Sequence, residues 1–328
     1  MRVLIVKTSS LGDLVHALPA LTDAARARPE LRFDWLAERP FAEIPRWHPA
    51  VGRVIASDLR RWRRQGLGAL RSPEWAAFRT ELRAHEYGLV LDAQGLLKSA
   101  WLASRARGPR AGLDWHSVRE PLVALTYARR YAVPKGLHAV ERVRRLFAQA
   151  LDYAPPESAP DFGLRRAQFA TPQLASPYLV FLHATTWPGK CWAESSWQEL
   201  GRWAVHRGLG VVLPWGSEAE RATAERIAAR FGGLVLPRLD LSGVASVLAH
   251  AQATVGVDTG LAHVGAAVGT PGITLYGPTL PGLTGTVGAH QVHLRSSDAT
   301  TVDRARTTTV PVAQVIDRLE AWRHNPPA

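Results

Sequence analysis

Behind Arg2 stands a short apolar, partly β-branched run, Val3-Leu4-Ile5-Val6, which predicts a buried strand at 3–6. A polar turn follows, Thr8-Ser9-Ser10-Leu11-Gly12-Asp13. Apolar positions then recur at helical spacing at Leu14, Val15, Leu18, Leu21, Ala24 and Ala25. Strand, loop and helix in that order open a parallel α/β sheet. The alternation continues with strands at 31–36 and 53–56, a basic segment at 59–68 that contains Trp62, a helix at 74–85, a strand at 89–92, and helices at 96–106 and 140–151.

A Pro-rich polar stretch, Ala154-Pro155-Pro156-Glu157-Ser158-Ala159-Pro160, breaks the rhythm and marks a domain boundary before Pro177. Strands at 178–183, 210–214, 234–237, 254–257 and 272–276 then alternate with helices at 195–206, 218–231, 241–250 and 261–268. A last helix covers 312–322. The pattern predicts an α/β protein of two Rossmann-like doubly wound domains, 1–165 and 166–311. The segment 312–328 is expected to pack back on the N-terminal domain. Two such sheets on one linker are expected to turn their strand C-termini toward each other across a cleft, and ligands bind at those ends. The polar turns behind the strands are therefore the places to look for chemistry.

Composition narrows the function. Among 328 residues, 40 Lys and Arg face 28 Asp and Glu, a formal net charge of +12. That balance favours an anionic partner, whether nucleic acid, a membrane surface or a phosphorylated substrate. An Arg- and Ala-rich composition explains it as well. Cys191 is the single cysteine, so no intramolecular disulfide forms, which fits a reducing compartment. The opening apolar run ends at Lys7, too short for a signal peptide, and no stretch of 18 apolar residues occurs. The expectation is a cytoplasmic protein that meets a membrane only at its surface. No G-x-G-x-x-G follows the first strand, and the P-loop, H-E-x-x-H and paired C-x-x-C patterns are missing. NAD binding, P-loop chemistry and a zinc site are disfavoured.

Five turns carry candidate chemistry. Asp13 stands at the first helix N-terminus, as a carboxylate base for a substrate hydroxyl or as a helix cap. His183-Ala184-Thr185-Thr186-Trp187-Pro188-Gly189-Lys190 offers two hydroxyls and a cation for a diphosphate or a sugar, or a capping pair beside a solvated lysine. Trp215-Gly216-Ser217-Glu218-Ala219-Glu220 offers a carboxylate for ribose hydroxyls or for the helix dipole. Gly256-Val257-Asp258-Thr259-Gly260-Leu261-Ala262-His263 has the makings of a phosphate cradle at a helix N-terminus. It also reads as a nucleophile elbow with Asp258 in place of serine, which would make the chain an α/β-hydrolase. Arg60, Arg61, Arg63 and Arg64 surround Trp62, for capture of phosphates or carboxylates or simply as a charged face. No nucleic-acid-binding signature supports the polyanion-binder reading.

The ordered set of these motifs resembles a known family. Val3-Leu4-Ile5-Val6-Lys7-Thr8-Ser9-Ser10-Leu11-Gly12-Asp13 with His16, Asp92-Ala93-Gln94-Gly95-Leu96 with Lys98, and Arg119-Glu120-Pro121-Leu122 lie in the first half. Phe181-Leu182-His183-Ala184-Thr185-Thr186, Leu213-Pro214-Trp215-Gly216, Val257-Asp258-Thr259-Gly260-Leu261 and Tyr276-Gly277-Pro278-Thr279 lie in the second. Together they resemble glycosyltransferase family 9, the lipopolysaccharide heptosyltransferases. The resemblance implies a GT-B fold and transfer of heptose from ADP-L-glycero-β-D-manno-heptose to the first Kdo of Kdo-lipid A. It further implies inversion, no metal and no cofactor, at the cytoplasmic face of the inner membrane and without nucleic acid. A sibling enzyme of the family, adding the second heptose, is the alternative.

By the same resemblance Asp13 is the general base. Thr185, Thr186, Lys190, Glu220, Leu239, Asp258, Thr259, Gly260 and His263 hold the donor. Arg60, Arg61, Arg63, Arg64, Lys98, Arg119 and His138 hold the acceptor. Trp187-Pro188-Gly189 is less polar than a donor loop of the family leads one to expect.

Overall fold

The computed structural model describes residues 1–175, 177–296 and 308–324. The chain divides into two compact units, Met1–Gly163 and Leu164–Ala328, with the boundary two residues before the expected one.

The first unit runs β1 (Arg2–Val6), α1 (Leu11–Ala27), β2 (Arg32–Glu38), α2 (Glu43–Arg46), β3 (Val51–Ser57), α3 (Leu59–Gln65), α4 (Pro73–Leu82), β4 (Leu89–Asp92), α5 (Leu97–Ala103), β5 (Arg110–Leu113), β6 (Arg129–Tyr131) and α6 (Ala139–Leu151). Its sheet has the order β3-β2-β1-β4-β5-β6, and every pairing is parallel. β1 lies between two neighbours with both faces covered. This is why it reads as an unbroken apolar run rather than an alternating one. Strand order reverses between β1 and β4, where doubly wound sheets bind ligands. The register Val6↔Asp92 brings the turns after both strands side by side.

The basic segment around Trp62 is itself the helix α3. Trp62 is buried and meets Trp75 and Phe78 with ring centroids 5.0 Å away in each case. The arginines beside it in sequence point to solvent because the indole takes the inward position.

The second unit repeats the plan with β7 (Tyr178–Leu182), α7 (Glu194–His206), β8 (Gly210–Leu213), α8 (Glu218–Ala228), β9 (Leu234–Val235), α9 (Leu241–His250), β10 (Ala253–Val257), α10 (Gly260–Ala267), β11 (Gly272–Tyr276), α11 (Pro281–Thr284), β12 (Gln291–Arg295) and α12 (Val312–His324). The sheet order is β12-β11-β10-β7-β8-β9. Read in chain order within the unit, this is the same winding as the first sheet, with its reversal between β7 and β10. Gly256 is needed there. A Cβ at that position would stand 2.9 Å from Leu182 Cβ on the neighbouring strand.

α12 lays Val312, Val315 and Leu319 into the second unit's own core, against α7. Two separate six-stranded sheets overturn the hydrolase reading, which requires one continuous sheet. Among the described residues no helix is long and apolar enough to cross a membrane.

One buried histidine makes the fold acid-sensitive. His48 is buried, and the Ala50 N–H donates to its Nδ1 at 3.1 Å. Nε2 therefore carries the proton and donates to Thr22 Oγ1 at 2.8 Å. Gly163 covers the pair so closely that a Cβ would meet Nε2 at 2.3 Å. Burial pushes the imidazole down to about 4, with Asp161 opposing and Arg26 assisting. The native state thus keeps His48 neutral where the unfolded chain, at about 6.5, takes up a proton. Stability is full above the unfolded value and is lost as pH falls toward the folded one, by about 3 kcal/mol at most. Burial pushes His183 and His293 in the same direction. Urea unfolding from neutral to acid pH is expected to show a shallower pH dependence for His48→Gln than for the parent chain. Parallel curves would acquit His48.

Candidate functional site

In the first unit the site is built on the turns behind β1 and β4. Lys7, the last side chain before the turn, is buried and donates from Nζ to Ala93 O at 2.9 Å, tying the two turns together. Burial pushes its ammonium down, while the charges of Asp13 and Asp92 act to hold it up. Gln94 Oε1 accepts from the Thr8 and Ser9 N–H groups, each at 3.0 Å. Lys98 Nζ donates to Ser9 Oγ at 2.9 Å.

Asp92 shapes this frame. Its carboxylate accepts from Gln94 N, Gly95 N, Ser99 Oγ and Tyr127 OH. Burial pushes it above the usual carboxylate range and these donors pull it back. With both oxygens occupied and no exposure to speak of, it organises the loop.

Asp13 differs. It is the third residue of α1 and half-buried. Its Oδ2 accepts from Ser10 N at 2.7 Å and Ser10 Oγ at 3.0 Å. This is the carboxylate half of a capping box. Oδ1 makes no hydrogen bond to the described residues. Asp13 is thus a cap that keeps one carboxylate oxygen unengaged among the described residues. His16 and His138 meet edge to face with centroids 5.6 Å apart. His138 also caps α6, where Nδ1 accepts from Val140 N at 3.2 Å. Arg142, on α6, donates to Ser117 O and adds its charge near Lys7.

The four arginines of α3 separate into different environments. The backbone N–H of Arg60 donates to Glu38 Oε1 at 2.8 Å, and its guanidinium lies 3.7 Å from Oε2. Arg61 lies 3.4 Å from Asp58. Arg64 is exposed. Arg63 joins Lys98, Leu59, Leu97, Trp101 and Glu120 around an open groove of about 420 Å³. Arg119 is exposed on the loop after β5, next to Glu120.

In the second unit the turns behind β7, β10 and β11 converge. Asp258 follows β10, and its Oδ2 accepts from Lys190 Nζ and from Thr279 Oγ1, both at 2.7 Å. Its backbone carbonyl faces Thr185 Oγ1 at 3.4 Å. The carboxylate side chain is 9% exposed and the lysine 18%. Lys190 Nζ also lies 5.3 Å from the Trp187 ring centroid. The apolar insert Trp187-Pro188-Gly189 therefore supplies an aromatic face to the cation.

Thr259 is the N-cap of α10 but makes no side-chain capping bond. The first-turn N–H groups at Gly260 and Leu261 remain suited to an anion. His263 is buried in the same helix. Thr186 is exposed at the rim. Glu220 accepts from Gly216 N at 2.8 Å, and its backbone carbonyl lies 3.1 Å from His183 Nε2. Leu239 is half-buried against Gly243 at the start of α9. Cys191 is exposed, and partial burial pushes its thiol up, away from nucleophilic chemistry.

The structure thus gathers Thr185, Lys190, Asp258, Thr259, Gly260 and His263 into one region, and Asp13, Lys98 and His138 into another. Sequence reading carried Lys7, Gln94 and Thr279 in its turns and motifs without giving any of them a role in the site. Each sits within two residues of a strand C-terminus or in a quoted motif, so position in the fold was the available signal. Chemically, the second unit offers a lysine, a helix N-terminus and hydroxyls for a diphosphate. The first offers an accessible carboxylate amid cations.

A family model for "Glycosyltransferase family 9 (heptosyltransferase)" matches residues 75–313. Lipopolysaccharide heptosyltransferase 1 of Pseudomonas aeruginosa is 57% identical over 298 residues, 90% of this chain and 84% of that one. The solved structure of the E. coli heptosyltransferase WaaC with ADP matches at a TM-score of 0.90 and 45% identity, covering 98% of this chain and 99% of that one. The same enzyme with ADP-2-deoxy-2-fluoro heptose matches at 0.87 and 44%, with the same coverage. The two Rossmann-like units are therefore those of a GT-B enzyme, and the chain belongs to glycosyltransferase family 9, the heptosyltransferases.

Proposed function

We propose that this enzyme transfers L-glycero-D-manno-heptose from ADP-heptose to the first Kdo of Kdo-lipid A, with inversion and without a metal. The observation that carries the reading is the ammonium of Lys190, fixed beside the N-terminus of α10 by Asp258, whose carboxylate Thr279 holds in turn. A departing diphosphate needs such preorganised positive charge. Likeness to the first-type heptosyltransferases supports the donor and the acceptor class.

In this reading Asp13 takes the proton of the attacking Kdo hydroxyl as its oxygen bonds to the anomeric carbon. The bond from that carbon to the diphosphate oxygen breaks in the same displacement, which inverts the centre. ADP leaves with its charge offset by Lys190, His263 and the first-turn N–H groups of α10. Thr185 and Thr186 bind diphosphate or sugar oxygens. Glu220 binds the ribose and Leu239 packs near the adenine. Arg60, Arg61, Arg63, Arg64, Lys98, Arg119 and His138 hold the acceptor's phosphates and carboxylates. The enzyme works at the cytoplasmic face of the inner membrane.

The test is a transfer assay with purified protein, ADP-heptose and delipidated Kdo-lipid A in the presence of EDTA, following ADP release and product mass. A product heavier by one heptose is expected. ADP release without it would mean hydrolysis or another acceptor, such as the heptose taken by a second-type enzyme.

Within the acceptor set the groove ranks the arginines. Arg63→Ala is expected to raise the acceptor KM about tenfold, as loss of one charged hydrogen bond does, with the donor KM nearly unchanged. Arg61→Ala, whose guanidinium already pairs with Asp58, is expected to raise it less. Equal effects would remove the groove from acceptor binding.

A further inference from the structure

Leu122 and Leu125 are 63% and 60% exposed, the two most exposed large apolar side chains among those described. They lie in the 3₁₀ turn Pro121–Thr126. With three residues per turn, positions three apart stand on one face. The intervening Val123 and Ala124 are buried on the other. Leu97, 51% exposed, joins this place because its N–H donates to Glu120 Oε2 at 2.7 Å. A scattered exposed leucine needs no explanation, but a paired ridge on a short rigid turn does.

The ridge stands in a collar of one sign. Arg110 Nε donates to Thr126 O at 2.9 Å and Arg130 Nε to Ala124 O at 2.7 Å. Two guanidiniums are thereby fixed against the backbone that carries Leu125. Residues 97–138 hold eight lysines or arginines against only Asp114 and Glu120. Of these two acids, Glu120 is engaged with Leu97 and Asp114 with Ser117. Apolar side chains projecting above fixed cations fit the headgroup–acyl boundary of an anionic bilayer. A protein partner of such a surface would need acids around an apolar socket, and nothing in the turn's geometry selects one.

We propose that the turn Pro121–Thr126 is a membrane-docking wedge. Leu122 and Leu125 enter the boundary of an anionic bilayer, and Arg110, Arg129, Arg130 and Lys135 meet its phosphates. The proposal deepens the membrane side of the proposed function and rests on that reading only for its purpose. Glu120 links the wedge to the Arg63–Lys98 groove, so docking brings the groove to the headgroup layer where an anionic glycolipid presents its sugars.

The experiment is flotation of the full chain with vesicles of phosphatidylcholine alone or doped with phosphatidylglycerol, at low and high salt. The parent chain is expected to float with the anionic vesicles and to be released by salt. Leu122→Ser/Leu125→Ser is expected to lose about tenfold in vesicle binding, as removal of two buried apolar chains from the interface does. Its transfer to a delipidated, water-soluble acceptor stays within about twofold, since neither leucine lines the groove or belongs to the proposed donor and acceptor sets. Should the double variant melt early, Leu125→Gln and Arg129→Ser replace it, each with a smaller loss expected. Parent-like flotation of these variants, or equal binding of the parent to neutral vesicles, would overturn the wedge. Failure of heptose transfer with vesicle binding still dependent on the leucines would overturn the proposed activity and leave the wedge standing.

Discussion

Asp13→Asn is expected to lower turnover by about 10²–10⁴-fold, the range supplied by a positioned general base, while ADP-heptose affinity stays within a few-fold. Asparagine is the more telling variant because Asp13 does two things. Its Oδ2 accepts from Ser10 N and holds the first turn of α1. An amide oxygen keeps that bond, so the helix start survives, but the amide cannot take a proton from a hydroxyl. Asp13→Ala removes both functions and adds a capping loss of about 1 kcal/mol. Steady-state transfer, calorimetric titration of the donor and thermal melting together separate the two. If Ala is inactive and Asn works normally, Asp13 is a cap and the base lies elsewhere. If both are inactive and Asn melts like the parent, the carboxylate itself is required. The surrounding frame supports the second outcome. Asp92, the carboxylate that ends the neighbouring β4, has both oxygens occupied and is fully enclosed, and Glu38 at the end of β2 is buried against Arg60.

Much of this fold was legible in the sequence because its central strands are buried on both faces. Val3-Leu4-Ile5-Val6 and Leu89-Val90-Leu91 stand out for that reason and became β1 and β4. The strands that escaped notice are those whose burial is partial. β5 is only Arg110-Ala111-Gly112-Leu113, β6 is the edge triplet Arg129-Arg130-Tyr131, and β12 carries His293 and Arg295 with every residue half-buried. Their positions are fixed by the sheet they extend, a long-range effect that local composition does not record. α3 was visible only as a charged stretch because two inward residues, Leu59 and Trp62, suffice for a seven-residue helix.

The same division holds for the site. Asp13, Lys98 and Asp258 were legible from their places behind strands, since doubly wound sheets put ligands there. What was not legible is partnership. The hydrogen bond from Lys7 to Ala93 spans 86 positions, that from Lys190 to Asp258 spans 68, and Thr279 reaches Asp258 across 21. Equally, nothing in Arg60-Arg61-Trp62-Arg63-Arg64 says that two of the four meet Glu38 and Asp58 while Arg63 turns to a groove. Such pairing depends on which turns the sheet order makes neighbours.

That pairing leads to the second large effect. Lys190→Ala is expected to reduce kcat/KM by about 10³-fold, near 4 kcal/mol, as loss of a cation aimed at developing charge does. The loss has two parts. The leaving diphosphate loses its counter-charge, and Asp258, only 9% exposed and now deprived of the lysine 2.7 Å away, presents an uncompensated carboxylate to an anionic donor. Asp258→Asn keeps an acceptor for Thr279 and leaves the ammonium free, so its own loss is expected to be near tenfold, arising from a less firmly held Lys190. The double variant Lys190→Ala/Asp258→Asn is therefore expected to be about tenfold more active than Lys190→Ala alone, because the repulsive part has been removed. Measured as a cycle of kcat/KM values with ADP-heptose as the varied substrate, recovery in the double variant identifies Asp258 as the residue that positions and neutralises Lys190. Additive losses would instead mean that Asp258 binds the sugar in its own right, and that the ion pair seen here opens when the donor arrives.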